Sequence, residues 1–379
     1  MKNGEKPTAL VACDKFKGSL SAVGVAEAVE AGLGNGWHVE KCPIADGGEG
    51  FVDAMLTGAG GRKISVGTVD AMGRPCLADY GVADLQGVRT AFIEMSAASG
   101  IWRVAEKDRR PREATTFGTG MLIRHAVEES RAERIYIGIG GSVTNDGGAG
   151  MAVALGVRFL DGDGGELDGS PGSLISLAAV DEAARLPLPE LIVACDVVNP
   201  LCGGRGASAV FGPQKGASPE DVTFLDGALG QLADVSHGGE IARVPGAGAA
   251  GGLGFGLMRF AGARLVAGFD IVADALQLAG RIAAADLVIT GEGSLDAQTL
   301  GGKGPAGVAA MARQAGKPVV AVAGRVEDAA VPLFDHVMSL ERFGLERERS
   351  MAEAAQWLEV IVREDMPVLS SLLAQGTIE

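Results

Sequence analysis

The run GIGGSVTNDGGAGM, residues 138–151, sets two hydroxyls (Ser142, Thr144), an amide (Asn145) and a carboxylate (Asp146) in a glycine-rich turn. The apolar segment RIYI precedes it and AVALG follows. A turn that leaves a strand and enters a helix offers free N–H groups and a positive dipole end to an anion. Four other apolar runs end in comparable clusters: TALVAC in DKFKGS, HVEKCPI in ADGGEG, LIVAC in DVVNPL and DLVIT in GEGSLDAQT. One such cluster alone reads as an ordinary Gly–Asp turn. Five together point to a site built at the carboxyl ends of strands, where open parallel sheets bind ligands.

The residue types suit phosphate chemistry. Gly140, Gly141, Ser142 and Thr144 are candidates for cradling phosphate oxygens. Asp46, Glu49, Asp146, Asp196, Glu292 and Asp296 can hold Mg²⁺ or accept a substrate proton, since Mg²⁺ takes one or two carboxylates together with water and phosphate oxygens. Lys15, Lys17, Lys215 and Lys303 can neutralise a phosphate or hold a carboxylate. Each has a plainer reading beside this one. A lysine is most often a solvated surface residue, Asp196 can cap its own turn, and Glu292 and Asp296 can be charges at a helix N-terminus.

Standard nucleotide signatures are missing. LGGKGP has a Gly-Lys pair but no Ser or Thr after it and no glycine at the P-loop position. GAGAAG (246–251) matches GxGxxG, yet it follows EIARVP rather than a buried strand, so a helix-start turn is the expected meaning. DGDGGELDGSPGS (161–173) has the wrong spacing for a Ca²⁺ loop and is expected to be a polar surface turn. The four histidines are scattered, which argues against a His-based zinc site or a Ser-His-Asp triad.

The elements that must carry these groups follow from periodicity. TALVAC is a strand followed by a helix over SAVGVAEAVEAGL; HVEKCPI is a second strand followed by the helix FVDAMLTG. RKISVGTVD, CLADYGVAD and VRTAFIEMS then alternate apolar and polar residues across short turns, as an antiparallel meander does. A helix over TTFGTGMLIRHAVEES leads to strand RIYIGI. Strand LIVAC (191–195) fits either of two sheets, and a long, mostly helical stretch is expected after it to about residue 283. Strands DLVIT, PVVAVAG and DHVMSL, with helices PAGVAAMARQAG and MAEAAQWLEVIVRE, close the chain. Strand–helix alternation at both ends with a meander between predicts one domain interrupted by another. Residues 1–65 plus 281–379 form the outer α/β domain, and 66–280 the insert.

Bulk properties narrow the function classes. At 379 residues the chain exceeds one ordinary core. A net charge of −15 disfavours nucleic acid or an anionic membrane as partner, so an anionic substrate needs a local positive pocket. Five cysteines without a CxxC pair read as reduced thiols of a cytoplasmic protein. The first residues carry too short an apolar stretch for a signal peptide, and no run has transmembrane character. The 59 glycines, roughly double the usual ~7%, cluster after the apolar strands, where backbone turns tightly or approaches a ligand.

Taken in order, CDKFKGSLSA, CPIADGGEG, TTFGTGMLI, GIGGSVTNDGGAGMAVALG, CDVVNPLCG, AVFGPQKGA, PGAGAAGGLG and DLVITGEGSLDAQTLGGKGPAGVA resemble the bacterial class I glycerate kinase family over residues 12–309. Cys13 and Lys15 are minor departures, where small or hydroxyl residues are expected. The resemblance implies transfer of the ATP γ-phosphoryl group to a hydroxyl of D-glycerate, usually giving 2-phosphoglycerate. It implies a flavodoxin-like domain interrupted by a mixed-sheet domain, with the site in the cleft between. Lys303 and the glycine loops would then cradle ATP, with Glu292 and Asp296 beside it. Asp46, Asp196 and Glu292 would hold Mg²⁺. Asp196 is the first choice for the base, then Asp46 and Asp146. Lys15, Lys17, Glu49, Asn145, Asn199 and Lys215 would meet the substrate. The partner is a small molecule, and the protein a monomer or homodimer. The rival readings are a kinase for another small hydroxy acid, a non-catalytic sugar-acid or nucleotide sensor, and an NAD-dependent oxidoreductase resting on GAGAAG.

Overall fold

The computed structural model describes residues 6–45, 47–296, 299 and 304–375. Asp46 and Lys303, both expected site residues, lie outside them. The chain forms two compact units: residues 1–46, 53–60 and 272–379, and residues 47–52 with 61–271.

The first unit is a five-stranded parallel sheet. Its strands are β1 (Thr8–Cys13), β2 (His38–Lys41), β12 (Leu287–Leu295), β13 (Val319–Val326) and β14 (His336–Ser339), in the order β2-β1-β12-β13-β14. Counted along this unit the order is 2-1-3-4-5, the flavodoxin-like arrangement. The central strands are continuous apolar runs because helices cover both faces of a parallel sheet; Ala9–Cys13 and Val319–Ala323 are fully buried. The reversal of strand order falls between β1 and β12, and a ligand crevice opens at the carboxyl ends of two such strands.

The last strand is tied to the C-terminal helices by a polar clamp. Asp365 accepts from His336 Nε2 and from Arg342, each at 2.7 Å. Burial alone pushes the Asp365 pKa up, but these hydrogen bonds outweigh it and hold the carboxyl below its usual range. Its stabilising contribution is therefore present above the unfolded carboxylate pKa and is lost as pH falls through the folded value. Asp365→Asn is expected to cost about 2 kcal/mol at pH 7, with the gap to the parent closing in acid. Urea unfolding of both proteins at several pH values measures this; a gap that stays constant down to pH 3 would contradict it.

The second unit centres on a six-stranded mixed sheet. Its strands are β3 (Arg62–Val69), β4 (Pro75–Leu85), β5 (Val88–Glu94), β6 (Arg134–Gly138), β10 (Glu190–Ala194) and β11 (Arg264–Val266), in the order β11-β10-β6-β5-β4-β3. β3, β4 and β5 form the antiparallel meander, while β5, β6, β10 and β11 run parallel. Strand 190–194 thus belongs to this sheet, seated between β6 and β11. β3 begins at Arg62, so this sheet starts ahead of the boundary expected at residue 65.

Two details add to the expected elements. The mostly helical stretch after residue 195 also holds the edge strand β11, Arg264–Val266; a three-residue strand leaves almost no period to read. The polar loop at 161–173 is partly a hairpin. β7 (Arg158–Leu160) pairs with β8 (Glu166–Leu167) and with β9 (Ala179–Asp181) in a small antiparallel sheet. The Asp161 carboxylate caps that turn, accepting from Asp163 N and Gly165 N, so its DxDGG spacing serves a turn. GAGAAG also follows a 3₁₀ turn (Ile241–Arg243), not a strand, and opens the helix Ala249–Ala261. Gly251 there has φ +71, and a Cβ on it would lie 1.9 Å from the Thr144 carbonyl oxygen. Gly251 thus brings backbone against the 144–148 loop, while Gly248 comes against the Pro200 carbonyl.

Candidate functional site

In the second unit, the loop leaving β6 is organised by Asp146. This side chain is fully buried. Its Oδ2 accepts from Thr116 N and Thr116 Oγ1, both at 2.7 Å, and from Gly150 N at 3.1 Å; its Oδ1 accepts from Gly148 N at 3.1 Å. Thr116 Oγ1 in turn accepts from Met151 N. Burial raises the Asp146 pKa, and the four hydrogen bonds oppose that rise. The geometry occupies both oxygens of this carboxylate with donors of the loop and of Thr116. The helix that follows, Ala149–Ala154, is also short, and two N–H groups at its start are spent on Asp146. The anion-binding capacity expected of its N-terminus must come from elsewhere in the loop.

The other end of the loop carries Gly141 and Ser142. Ser99–Ile101 pairs with this segment like a strand: Ile101 N donates to the Gly141 carbonyl and Val143 N to the Ser99 carbonyl. Gly141 is exposed with φ +76, and Ser142 is buried. Behind them lies Lys215, carried by a 3₁₀ turn, Pro213–Lys215, that Gly216 ends at φ +92. Lys215 Nζ donates to Ser142 Oγ at 2.8 Å and to the Thr144 carbonyl at 2.6 Å. Burial pulls its pKa down to about 7, with Asp146 acting in the opposite sense. Asn145 is buried and donates to Ser208 Oγ at 2.8 Å. The structure therefore gathers Gly140, Gly141, Ser142, Thr144, Asn145 and Lys215 on one loop and its support.

Asp196 follows β10 and is half-buried, with Oδ1 accepting from Gly268 N at 3.3 Å. The segment carrying Glu49 crosses the ends of β6 and β10. Gly140 N donates to the Gly47 carbonyl, and a Cβ on Gly47 would lie 2.2 Å from that of Ala194. Glu49 itself is exposed. Asn199 fixes its own loop, donating to the Arg205 carbonyl at 2.8 Å. Glu94, at the end of β5, accepts from Val52 N at 2.8 Å. Sequence reasoning missed Glu94, although its place at a strand end was the signal that picked out Asp196.

In the first unit, the ends of β1 and β12 carry the other candidates. Asp14 N donates to the Gly291 carbonyl, locking the two strand ends together. Lys15 is half-buried, with its N–H on Asp14 Oδ1 at 2.6 Å, and Lys17 is exposed. Glu292 Oε1 accepts from Thr299 Oγ1 at 2.7 Å, and the same hydroxyl accepts from Asp296 N at 3.0 Å. Arg325 Nε donates to Ser294 Oγ at 2.7 Å, and its guanidinium lies 3.9 Å from Asp296. Asp14, Thr299 and Arg325 were not anticipated. Among the described residues, no group of three or more His, Cys, Asp or Glu side chains is placed to hold a metal, and no helix is long and apolar enough to cross a membrane.

The chain is similar to known proteins over nearly its whole length. The model of the glycerate kinase family matches residues 9–369. A glycerate kinase of Bacillus subtilis is 42% identical over 368 residues, covering 94% of this chain and 96% of the relative. A glycerate 2-kinase of Escherichia coli is 45% identical, covering 84% of this chain and 85% of its own length. A crystal structure described as a glycerate kinase 2 of Salmonella typhimurium LT2 superposes with a TM-score of 0.85 at 42% identity, covering 97% of this chain and 99% of that one.

Proposed function

This chain belongs to the glycerate kinase family, and from that premise we propose that it transfers the γ-phosphoryl group of ATP to a hydroxyl of D-glycerate, giving 2-phosphoglycerate and ADP. The observation that carries this reading is the loop 140–146: an exposed N–H turn held in shape by a buried carboxylate and backed by a buried lysine. Phosphoryl transfer has a loose transition state, so positioning and charge neutralisation do most of the work.

In this reading Asp196 takes the proton of the acceptor hydroxyl. Its strand-end position aims the carboxylate, and the Gly268 N–H steadies it. Gly140, Gly141, Ser142 and Thr144 form an anion cradle. Lys15, Lys17, Asn145, Asn199, Glu49 and Lys215 bind or brace the substrate, and Lys303 joins the ATP phosphates. The donor chemistry fits Mg²⁺, which takes hard carboxylate oxygens and needs one or two from the protein. Within the first unit Glu292, with Asp296 near it through Thr299, or Asp46 would hold it, and within the second Asp196 is the candidate. The ion would neutralise phosphate charge. Five cysteines without a CxxC pair support a cytoplasmic location. The net charge of −15 supports a small-molecule partner rather than nucleic acid or membrane, acted on by a monomer or homodimer.

The test is the purified protein with ATP, Mg²⁺ and D-glycerate, coupled to enolase and pyruvate kinase without phosphoglycerate mutase. A glycerate-dependent signal is the expected result. Silence relieved by added mutase would mean that the 3-hydroxyl is the acceptor. Silence in both, with folded protein, would mean a different hydroxy acid or no turnover at all.

A further inference from the structure

Lys215 is 2% exposed, and its ammonium meets two acceptors among the described residues, Ser142 Oγ and the Thr144 carbonyl. An ammonium has three N–H groups, so one is left over. Two more buried polar atoms on the same loop lack partners among the described residues, Thr144 Oγ1 and Asn145 Oδ1. The lysine's charge is also poorly matched. Asp146 favours the charged form, but that carboxylate is buried, occupied by four donors and itself pushed towards neutrality. Arg109 brings a like charge to the same turn, donating to the Gln214 carbonyl at 3.2 Å. Asp221, on the helix that follows, is paired with Arg112 at 2.6 Å. Gly141 is exposed, and the N–H groups of Gly141 and Ser142 meet no backbone acceptor among the described residues. Ser142 stands between that open turn and the buried ammonium.

We propose that Lys215 is the buried counter-charge for an anionic oxygen of the substrate held at Gly141–Ser142, acting through the Ser142 hydroxyl, so that binding draws a proton onto the lysine. The proposal rests on the kinase reading above and deepens it. A charged Lys215 obliges Ser142 Oγ to accept, which turns the hydroxyl hydrogen outward as a donor to the anion. A neutral Lys215 can accept from Ser142 instead, which turns that hydrogen inward and presents lone pairs to the anion. In a buried setting of low dielectric the charge is felt across the intervening hydroxyl. With its pKa held near 7 in the free protein, the lysine is partly neutral at physiological pH, and an incoming anion shifts it back to the charged form. Lys215 is thus a positioning residue. The anionic oxygen belongs either to the carboxylate of the hydroxy acid or to a phosphate of ATP.

Calorimetry separates these. D-glycerate alone and ATP alone are titrated into the full-length protein at pH 8, in buffers of different ionisation enthalpy. One ligand is expected to bind with uptake of roughly one proton, and its Kd to rise up to about tenfold per pH unit above pH 7. Uptake with D-glycerate assigns the carboxylate; uptake with ATP assigns the phosphate. Lys215→Met is expected to remove both the uptake and the pH slope. Binding of both ligands by the unaltered protein without proton uptake overturns the proposal, whether or not the variant folds, and leaves the kinase reading standing. Uptake that persists in Lys215→Met overturns it as well. Failure of either ligand to bind, with no turnover in the coupled assay, overturns both.

Discussion

Asp146→Asn is expected to cost about 3 kcal/mol of stability and to lower turnover roughly a hundredfold, although this residue is not assigned to handle a proton. Thr116 N, Thr116 Oγ1 and Gly150 N converge on Oδ2, and Gly148 N takes Oδ1. Asparagine is nearly the same shape but offers one acceptor oxygen in place of two. Whichever way the amide is turned, its NH₂ faces at least one N–H donor, which is left buried and unpaired. The loop must then shift, and Ser142 and Thr144 shift with it, so their contacts to Lys215 loosen. Loss of the Asp146 charge also removes the field that favours a charged Lys215, so the lysine's pKa should fall further. Urea unfolding and steady-state kinetics measure the two effects. Stability and turnover within a factor of two of the parent would show that this carboxylate does not organise the loop.

The same residue shows what the sequence made legible and what it hid. The string GGSVTNDGG located the loop because glycine and short polar residues after an apolar strand are a local pattern. It could not say that Asp146 turns inward, because its main partner, Thr116, lies 30 residues upstream. Lys215 was visible as a cation, but its burial behind Ser142, 73 residues away, is a tertiary fact. The long apolar strands of both sheets and the meander were readable from their periods. The membership of strand 190–194 was not, since β6 and β11 can be told from β1 and β12 only once pairing is known. The two- and three-residue strands β7, β8, β9 and β11 hold too few residues to show alternation. GAGAAG, expected to be a helix-start turn, does open a helix, and its match to a nucleotide motif has a packing reason, since close backbone approach, here of Gly251 to Thr144, selects glycine as strongly as a nucleotide does.

Asp196→Asn carries the other large expected effect: a fall in kcat of about 10²–10⁴, the range for removing a general base, with the KM for ATP changed little. Asparagine still accepts a hydrogen bond from Gly268 N, so the turn after β10 should keep its shape and the melting temperature should stay close to that of the parent. What is lost is the ability to take a proton. Asp196 also stands among the carboxylates proposed for Mg²⁺, and the two roles predict different metal dependence. A base lost to amide substitution stays lost at any Mg²⁺ concentration. A metal ligand lost in the same way weakens Mg²⁺ binding, so activity returns in part as Mg²⁺ is raised or Mn²⁺ is supplied. Steady-state kinetics of Asp196→Asn across a Mg²⁺ series decides between them: a flat, low kcat identifies the base, and recovery at high metal moves Asp196 to the ion. Parent-like kcat at all concentrations would assign Asp196 to capping its own turn and shift the search for the base to Asp46.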